Sequence, residues 1–204
     1  MTVFLRLAVI LIALAGAARG MAAESPIGPL ERFVLQGSEE GWEGTLSADV
    51  YRLENRNSQT EGDTRYFFVE PRRDESRYWT TAVKVKVQPA SGGESPSFAG
   101  IICAVQSQPR SYLAFTIDSA GRLVVLRRDA KGLRPVWINT ENPRDPGAFN
   151  ELRIVEGDGQ YQVFIDGQRI RTLHVNISVE GGVGIIANGR GGFLFRDFAI
   201  TPNQ

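Results

Sequence analysis

The hexapeptide Ala82-Val-Lys-Val-Lys-Val87 is the clearest structural signal in this chain. Its apolar and charged residues alternate, so the valines share one face and the lysines share the other. Because successive side chains of a β-strand point to opposite faces, this pattern predicts a strand with one buried and one solvated face.

Further short segments with strand character follow, separated by glycine, proline, asparagine and aspartate. Residues 101–105 are apolar on both faces, which predicts a central strand that is covered on both sides. In residues 112–117 an apolar face opposes Tyr112, and Asp166-Gly167 predicts a type I′ hairpin because both positions favour positive φ. No fixed-period repeat or long linker divides the chain. These features predict one all-β, antiparallel sandwich or barrel of about a dozen strands.

The first 23 residues predict an export signal. Arg6 is the only charge before residues 7–18, which have no polar side chain, and small residues follow. This is the order of a secretory signal peptide, and the apolar stretch is shorter than the roughly 20 residues of a membrane span. We expect a signal peptide at 1–23, a domain at 24–204 in the periplasm or outside the cell, and no stable membrane insertion after cleavage. The alternative is an uncleaved N-terminal anchor.

Charge and cysteine content exclude several classes of protein. The chain has 23 basic and 23 acidic side chains, and removal of residues 1–23 would leave 21 basic side chains against 23 acidic ones. Proteins that bind nucleic acid usually need a basic excess, so we expect neither nucleic acid nor anionic lipid as a partner. Cys103 is the single cysteine, so the domain has no internal disulfide, and we expect it to be a buried core residue.

The order of motifs in the C-terminal half resembles a known fold family. After a Gly-Ile-Ile strand and a Gly-Arg-Leu hairpin come Asn150-Glu-Leu-Arg-Ile154, Val163-Phe-Ile-Asp-Gly167, Gly182-Val-Gly-Ile185 and Phe195-Arg-Asp-Phe198. Over roughly residues 98–200 the chain resembles the concanavalin A-like lectin/glucanase jelly roll. More narrowly, it resembles the domain of bacterial 3-keto-disaccharide hydrolases and laminin-G-like proteins. The resemblance implies an antiparallel two-sheet jelly-roll sandwich.

The search for catalytic carboxylates finds no convincing pair. Jelly-roll glucanases place alternate carboxylates of one strand about 5–5.5 Å apart for retaining hydrolysis. Glu156-Gly-Asp158 has the required spacing but lies in a glycine-rich stretch that predicts a turn, and Glu39, Glu40 and Glu43 lie in a loop-like stretch. We therefore predict no catalytic residues.

Carbohydrate binding requires a concave sheet, an aromatic surface and a few well-placed polar groups. The candidates that meet these requirements are Trp79, Arg110, Tyr112, Arg127, Trp137 and Asn188. For each aromatic candidate, packing in the core is the alternative.

The residues alone predict no metal site. His174 is the only histidine, which excludes a histidine-rich site. The laminin-G-like resemblance implies calcium as a candidate cofactor. Loop oxygens for calcium would come from Asp118, Asn139, Asp145 and Asp158, although these residues lack EF-hand spacing.

The sequence thus predicts an exported, non-catalytic module that binds a glycan or glycoconjugate on the concave sheet face, in the periplasm or surroundings of a bacterium. One alternative is a sugar-active enzyme of the 3-keto-disaccharide hydrolase type. The other is an envelope domain that docks a partner protein, which would require an exposed apolar patch.

Overall fold

The computed structural model describes residues 25–56, 63–70, 78–89, 97–107, 110–175 and 181–203. The predicted signal peptide at residues 1–23 lies outside this part of the chain and stays a prediction. The described residues form fourteen strands and one 3-10 helix, Gly28–Leu30. No helix among them is long and apolar enough to cross a membrane. The strands are β1 (Gly37–Glu39), β2 (Trp42–Leu46), β3 (Tyr51–Asn55), β4 (Thr64–Val69), β5 (Tyr78–Pro89), β6 (Phe98–Gln106), β7 (Ser111–Asp118), β8 (Leu123–Asp129), β9 (Gly132–Asn139), β10 (Asn150–Gly157), β11 (Gln160–Ile165), β12 (Gln168–His174), β13 (Gly182–Asn188) and β14 (Gly191–Asn203).

The strands form two antiparallel sheets, as the sequence predicted. The larger sheet has the order β1-β2-β3-β14-β5-β10-β11-β12, and the smaller sheet has the order β4-β13-β6-β7-β8-β9. The two sheets pack face to face around the main core. The arrangement is a two-sheet jelly-roll sandwich in which the last strand, β14, lies between β3 and β5.

Strand β5 has the two faces that the opening hexapeptide predicts. Val83, Val85 and Val87 are 0–1% exposed, whereas Lys84 and Lys86 are only half-buried on the other face. The prediction for residues 101–105 is also confirmed, because β6 lies between β13 and β7 and each of these residues is at most 4% exposed. The valine–lysine alternation thus distinguishes a half-solvated strand from one that is buried on both faces.

The main core lies between the sheets and is rich in aromatic rings. The ring of Trp42 packs against Phe193 within the larger sheet, with centroids 6.0 Å apart. Phe115 of the smaller sheet meets Tyr161 of the larger sheet at 5.5 Å, so this pair joins the two layers. Cys103 is 1% exposed within this core, as predicted. Full burial of each large apolar side chain contributes about 1.5–3 kcal/mol.

Local backbone geometry explains two of the sequence motifs. Asp166 and Gly167 have φ values of 49° and 78°, which confirms the predicted turn with two positive dihedrals between β11 and β12. In β14 the register shifts between Arg196 and Ala199. A regular strand would turn Phe198 away from the face of Phe195, but this bulge returns it to the core, where it is 3% exposed.

Strand β4 is the element that the sequence patterns do not predict. Its six residues, Thr64 to Val69, are all half-buried, and their sequence carries three aromatic residues in succession. The strand lies at an edge of the smaller sheet and pairs with β13. Because both of its faces carry apolar residues, β4 lacks the alternation that identifies β5.

Candidate ligand-binding face

The smaller sheet carries a second apolar cluster, on the face that points away from the main core. In β7, Leu113 and Phe115 belong to the main core, whereas Tyr112 and Ala114 belong to this second cluster. Its buried members are Ile102, Val105, Tyr112, Ala114, Val124, Leu126 and Ile186, and the half-buried Tyr66, Phe68, Phe98 and Leu133 pack against them. The outward face of an antiparallel sheet is usually polar where it meets only water. An apolar and aromatic outward face is therefore suited to contact with a ligand or partner.

Three aromatic rings and one guanidinium group form the centre of this face. The ring centroid of Tyr66 lies 6.2 Å from that of Phe68 and 5.6 Å from that of Tyr112. The guanidinium carbon of Arg110 lies 4.8 Å from the Tyr66 ring centroid, within the range of a cation–π interaction. We call Tyr66, Phe68, Tyr112 and Arg110 the aromatic platform.

The accessible rings of the platform come from β4. Tyr112 lies on the outward face, as its alternation with Leu113 predicts, but it is only 1% exposed. Tyr66 packs against it, and both Tyr66 and Phe68 remain half-buried. A ligand on this face would therefore touch Tyr66 and Phe68, with Tyr112 supporting them from below.

A glycine of β13 provides room for one of these rings. A Cβ atom added to Gly182 would lie 2.2 Å from Cδ2 of Phe68, which shows that the ring rests directly on the backbone at this position. Strand β13 continues with Gly184, which pairs with Phe68 across the β4–β13 ladder. Gly182 thus leaves room for the aromatic ring, whereas Gly184 leaves room for the backbone of β4.

Two arginines influence the tyrosine at the centre of the platform. Burial raises the pKa of the Tyr112 hydroxyl, while the charges of Arg110 and Arg128 act in the opposite direction. Arg128 is the cross-strand partner of Tyr112 in the β7–β8 ladder, so its side chain shares the outward face. The hydroxyl end of Tyr112 therefore lies in a region of positive potential.

The platform continues into an open groove along the free edge of β4. The groove has a volume of about 690 Å³. Phe33, from the segment that follows the 3-10 helix, is 58% exposed at this groove. The residues that line the groove are Pro29, Phe33, Tyr66, Phe67, Phe68, Val69 and Glu70. The groove extends the apolar surface of the platform past the edge of the sheet.

The structure brings two of the predicted binding residues together on the platform, Arg110 and Tyr112. Asn188 shares the outward face but lies at the other end of β13, next to Thr64. Its Nδ2 donates to the backbone oxygen of Asp63 at 3.1 Å and to Oγ1 of Thr64 at 2.7 Å. The amide group of Asn188 thus fastens β13 to the start of β4.

The other three predicted residues lie away from the platform. Trp137 on β9 packs against the main core, with the guanidinium carbon of Arg171 at 5.0 Å from its ring centroid. Arg127 forms an ion pair with Asp129 at 3.2 Å. Trp79 belongs to β5 of the larger sheet, and its buried Nε1 has no hydrogen-bond partner among the described residues. These three side chains do not converge with Arg110 and Tyr112.

Sequence reasoning missed Tyr66 and Phe68. Their spacing of two residues places them on the same face of a strand, and this was the available signal. The intervening Phe67 obscured it, because Phe67 faces the main core and makes the segment apolar on both sides.

The structure places Glu156 and Asp158, the two carboxylates with the spacing of a retaining pair, in different elements. Glu156 belongs to strand β10 and is 4% exposed, which corrects the expectation that it lies in a turn. Asp158 lies in the following turn with a φ of 49° and is exposed to solvent. The two side chains thus have opposite environments despite their spacing.

Three of the four loop residues suggested as calcium ligands accept hydrogen bonds within their own turns. The Asp118 carboxylate accepts hydrogen bonds from the backbone amides of Ala120 and Arg122, both at 2.9 Å, and from Nε of Arg122 at 2.7 Å. Asp145 accepts from the amide of Gly147 at 2.8 Å, and Asn139 accepts from that of Glu141 at 3.0 Å. Asp158 is the exposed turn residue described above. Within the described ranges, no group of three or more histidine, cysteine, aspartate or glutamate side chains could hold a metal ion.

Comparisons with known proteins identify the fold. No protein-family model and no curated protein match the sequence. The structure is similar to the carbohydrate-binding module CBM66 from Bacillus subtilis, with a TM-score of 0.57 and 12% identity, covering 82% of this chain and 99% of that one. It is also similar to a functionally unknown protein from Saccharomyces cerevisiae, with a TM-score of 0.60 and 15% identity, covering 86% and 98% of the two chains.

A third similar structure is a protein of unknown function with a galectin-like fold from Bacillus subtilis. Its TM-score is 0.55 and its identity 12%, and the match covers 79% of this chain and 87% of that one. Likeness at these identities concerns the fold alone. It confirms the concanavalin A-like jelly-roll sandwich that the sequence predicted.

Proposed function

We propose that this protein is a non-catalytic binding module that holds a glycan or glycoconjugate against the aromatic platform. The observation that carries the proposal is the accessible pair Tyr66 and Phe68 on an outward sheet face. The C–H face of a sugar ring packs well on such rings, and guanidinium groups such as that of Arg110 donate hydrogen bonds to hydroxyl oxygens. The shared fold with a carbohydrate-binding module supports the same reading.

We also propose that the module works outside the bacterial cytoplasm. Residues 1–23 carry the pattern of a signal peptide, and the proposed domain comprises residues 24–204. A single cysteine is compatible with export, because the main core is large and aromatic and can stabilise the domain without an internal disulfide. Fractionation of a bacterial host, followed by N-terminal sequencing, tests this part of the proposal. Recovery of the protein in the cytoplasm with an intact Met1 would contradict it.

A glycan array tests the binding function. Tyr66→Ala removes one accessible ring, and we expect its affinity for bound glycans to fall at least about tenfold, equivalent to about 1.4 kcal/mol. Phe164→Ala is the matched control, because Phe164 also carries an arginine above its ring, with the Arg153 guanidinium carbon at 4.0 Å, but lies on the larger sheet. Thermal unfolding of both variants checks that each remains folded.

The array has two outcomes that would contradict the proposal. One is that the wild-type protein binds no glycan. The other is that Tyr66→Ala binds as tightly as Phe164→Ala, which would show that the platform does not hold the ligand.

Docking of an envelope protein is the second candidate function, and the groove at β4 favours it. Phe33 is 58% exposed there, whereas most large apolar side chains of the described chain are buried. If docking is the function, Phe33→Ser will abolish a specific crosslink to one envelope protein while the array shows no glycan. Glycan binding that survives Phe33→Ser would contradict it.

A further inference from the structure

We infer that the glycan bound at the platform carries a negatively charged group, a carboxylate or a phosphate ester, which Arg110 and Arg128 hold together. This inference rests on the proposed function and specifies its class of ligand. Two observations support it: the positions of Arg110 and Arg128 on the outward face, and their lack of carboxylate partners among the described residues.

Two arginines of the outward face lie near Tyr112. Arg110 immediately precedes β7 and lies over Tyr66, while Arg128 lies opposite Tyr112 in the β7–β8 ladder. Both charges act on the hydroxyl of Tyr112, which lies between Tyr66 and the strand that carries Arg128. Guanidinium groups are donors that suit the several oxygens of a carboxylate or phosphate.

These two arginines also lack the partners that other arginines of the chain have. Arg122 pairs with Asp118 at 2.7 Å, Arg134 pairs with Asp129 at 2.6 Å, and Arg65 pairs with Glu39 at 2.7 Å. Neither Arg110 nor Arg128 forms an ion pair with a carboxylate in the part of the chain that the structure describes. Neighbouring like charges repel each other, and an anion between them would reverse that repulsion.

The position of Glu70 at the groove indicates how an anionic glycan would lie on the platform. Glu70 lines the groove next to Phe68, beyond the β4 side of the platform. Arg110 and Arg128 lie toward β7 and β8. A sugar ring over Tyr66 and Phe68 would therefore direct its anionic group toward Tyr112 and its neutral hydroxyls toward the groove.

Matched acidic and neutral glycans test the inference on the full protein. The carboxylate arm compares oligogalacturonates with their methyl esters, and the phosphate arm compares a phosphomannan before and after phosphatase treatment. The array adds uronic-acid, sialylated and neutral glycans. We expect the bound glycans to be acidic, and neutralising their acid to weaken binding at least about tenfold. Binding should also weaken as salt rises from about 50 to 500 mM, since salt screens these charges.

The double variant Arg110→Gln/Arg128→Gln should lose at least about tenfold in affinity for the acidic glycan, while Arg153→Gln, beside Phe164, should bind like the wild type. Equal binding of acidic and neutral forms, or an unchanged affinity of the double variant, would overturn the inference and leave the proposed function standing. Binding to no glycan at all would overturn both. If the protein binds the phosphomannan but not the oligogalacturonates, the site is assigned to phosphate. If it binds the oligogalacturonates but not the phosphomannan, the site is assigned to carboxylate.

Discussion

Replacing Gly182 with alanine tests whether the ring of Phe68 rests on the backbone of β13. The new Cβ would lie 2.2 Å from Cδ2, 2.9 Å from Cε2 and 3.0 Å from Cγ of Phe68. Carbon atoms attract each other best at about 3.5–4.0 Å, so the ring would have to move by roughly 1 Å or more. Overpacking costs about 1–3 kcal/mol, and the removal of glycine from a strand returns about 0.5–1 kcal/mol. We expect Gly182→Ala to lower the free energy of unfolding by about 1–2 kcal/mol.

Gly192→Ala is the matched control within β14. A Cβ there would meet Oε1 of Gln88 at 3.2 Å and Nη2 of Arg52 at 3.6 Å, which are the ends of flexible side chains. Neither Gly182 nor Gly192 has a positive φ, so backbone strain does not distinguish the two substitutions. The control should be as stable as the wild type or more stable by up to about 1 kcal/mol, because it gains from the removal of a strand glycine without a clash.

Urea denaturation gives the free energy of unfolding of both variants, and the glycan array gives their binding. Gly182→Ala should also bind more weakly, because the displaced Phe68 no longer completes the platform. Equal stability and equal binding of the two variants would refute the reasoning. A loss of stability with intact binding would keep the packing argument and remove Phe68 from the ligand site.

Two further predictions concern the main core. Trp42→Phe removes the donor to Oδ2 of Asp63 at 2.8 Å and part of a ring that is 1% exposed, so urea denaturation should show a loss of about 2–4 kcal/mol. A loss below about 0.5 kcal/mol would contradict that hydrogen bond. Burial raises the pKa of the Tyr51 hydroxyl, although the charge of Arg65 and the hydrogen bond to the Leu35 carbonyl act in the opposite direction. The contribution of this hydroxyl to the free energy of unfolding is therefore complete below about pH 10 and is lost as the pH rises further. Above pH 10, Tyr51→Phe should therefore lose stability less steeply than the wild type, by up to about 1.4 kcal/mol per pH unit, and equal slopes would contradict this.

The sequence predicts those parts of the fold that local alternation determines. Strand β5 shows its buried valines and half-solvated lysines in six consecutive residues, and the Asp166-Gly167 turn needs only two. The outward direction of Tyr112 was predictable in the same way, from its alternation with Leu113. These features depend on neighbours within one strand or one turn, so no knowledge of pairing was needed.

The residues that form the platform are brought together by strands that are distant in sequence, so the sequence of any one strand does not predict them. Tyr66 and Phe68 reach Tyr112 because β4 pairs with β13, whose glycines come more than a hundred residues later. The same pairing determines how exposed Tyr112 is, because Tyr66 packs over it. Alternation gives the face of a side chain, but another strand decides whether that face is covered.

The two outward faces of the sandwich differ in the side chains that they present. The larger sheet presents Lys84, which pairs with Asp197 at 2.8 Å, and Arg153, whose guanidinium carbon lies 4.0 Å from the Phe164 ring centroid. The smaller sheet presents half-buried rings and two arginines without carboxylate partners in the described part of the chain. Desolvation of half-buried rings and pairing of cations with an anion both favour association. The half-buried aromatic cluster, together with these two arginines, is therefore the basis on which we propose the smaller sheet as the binding face.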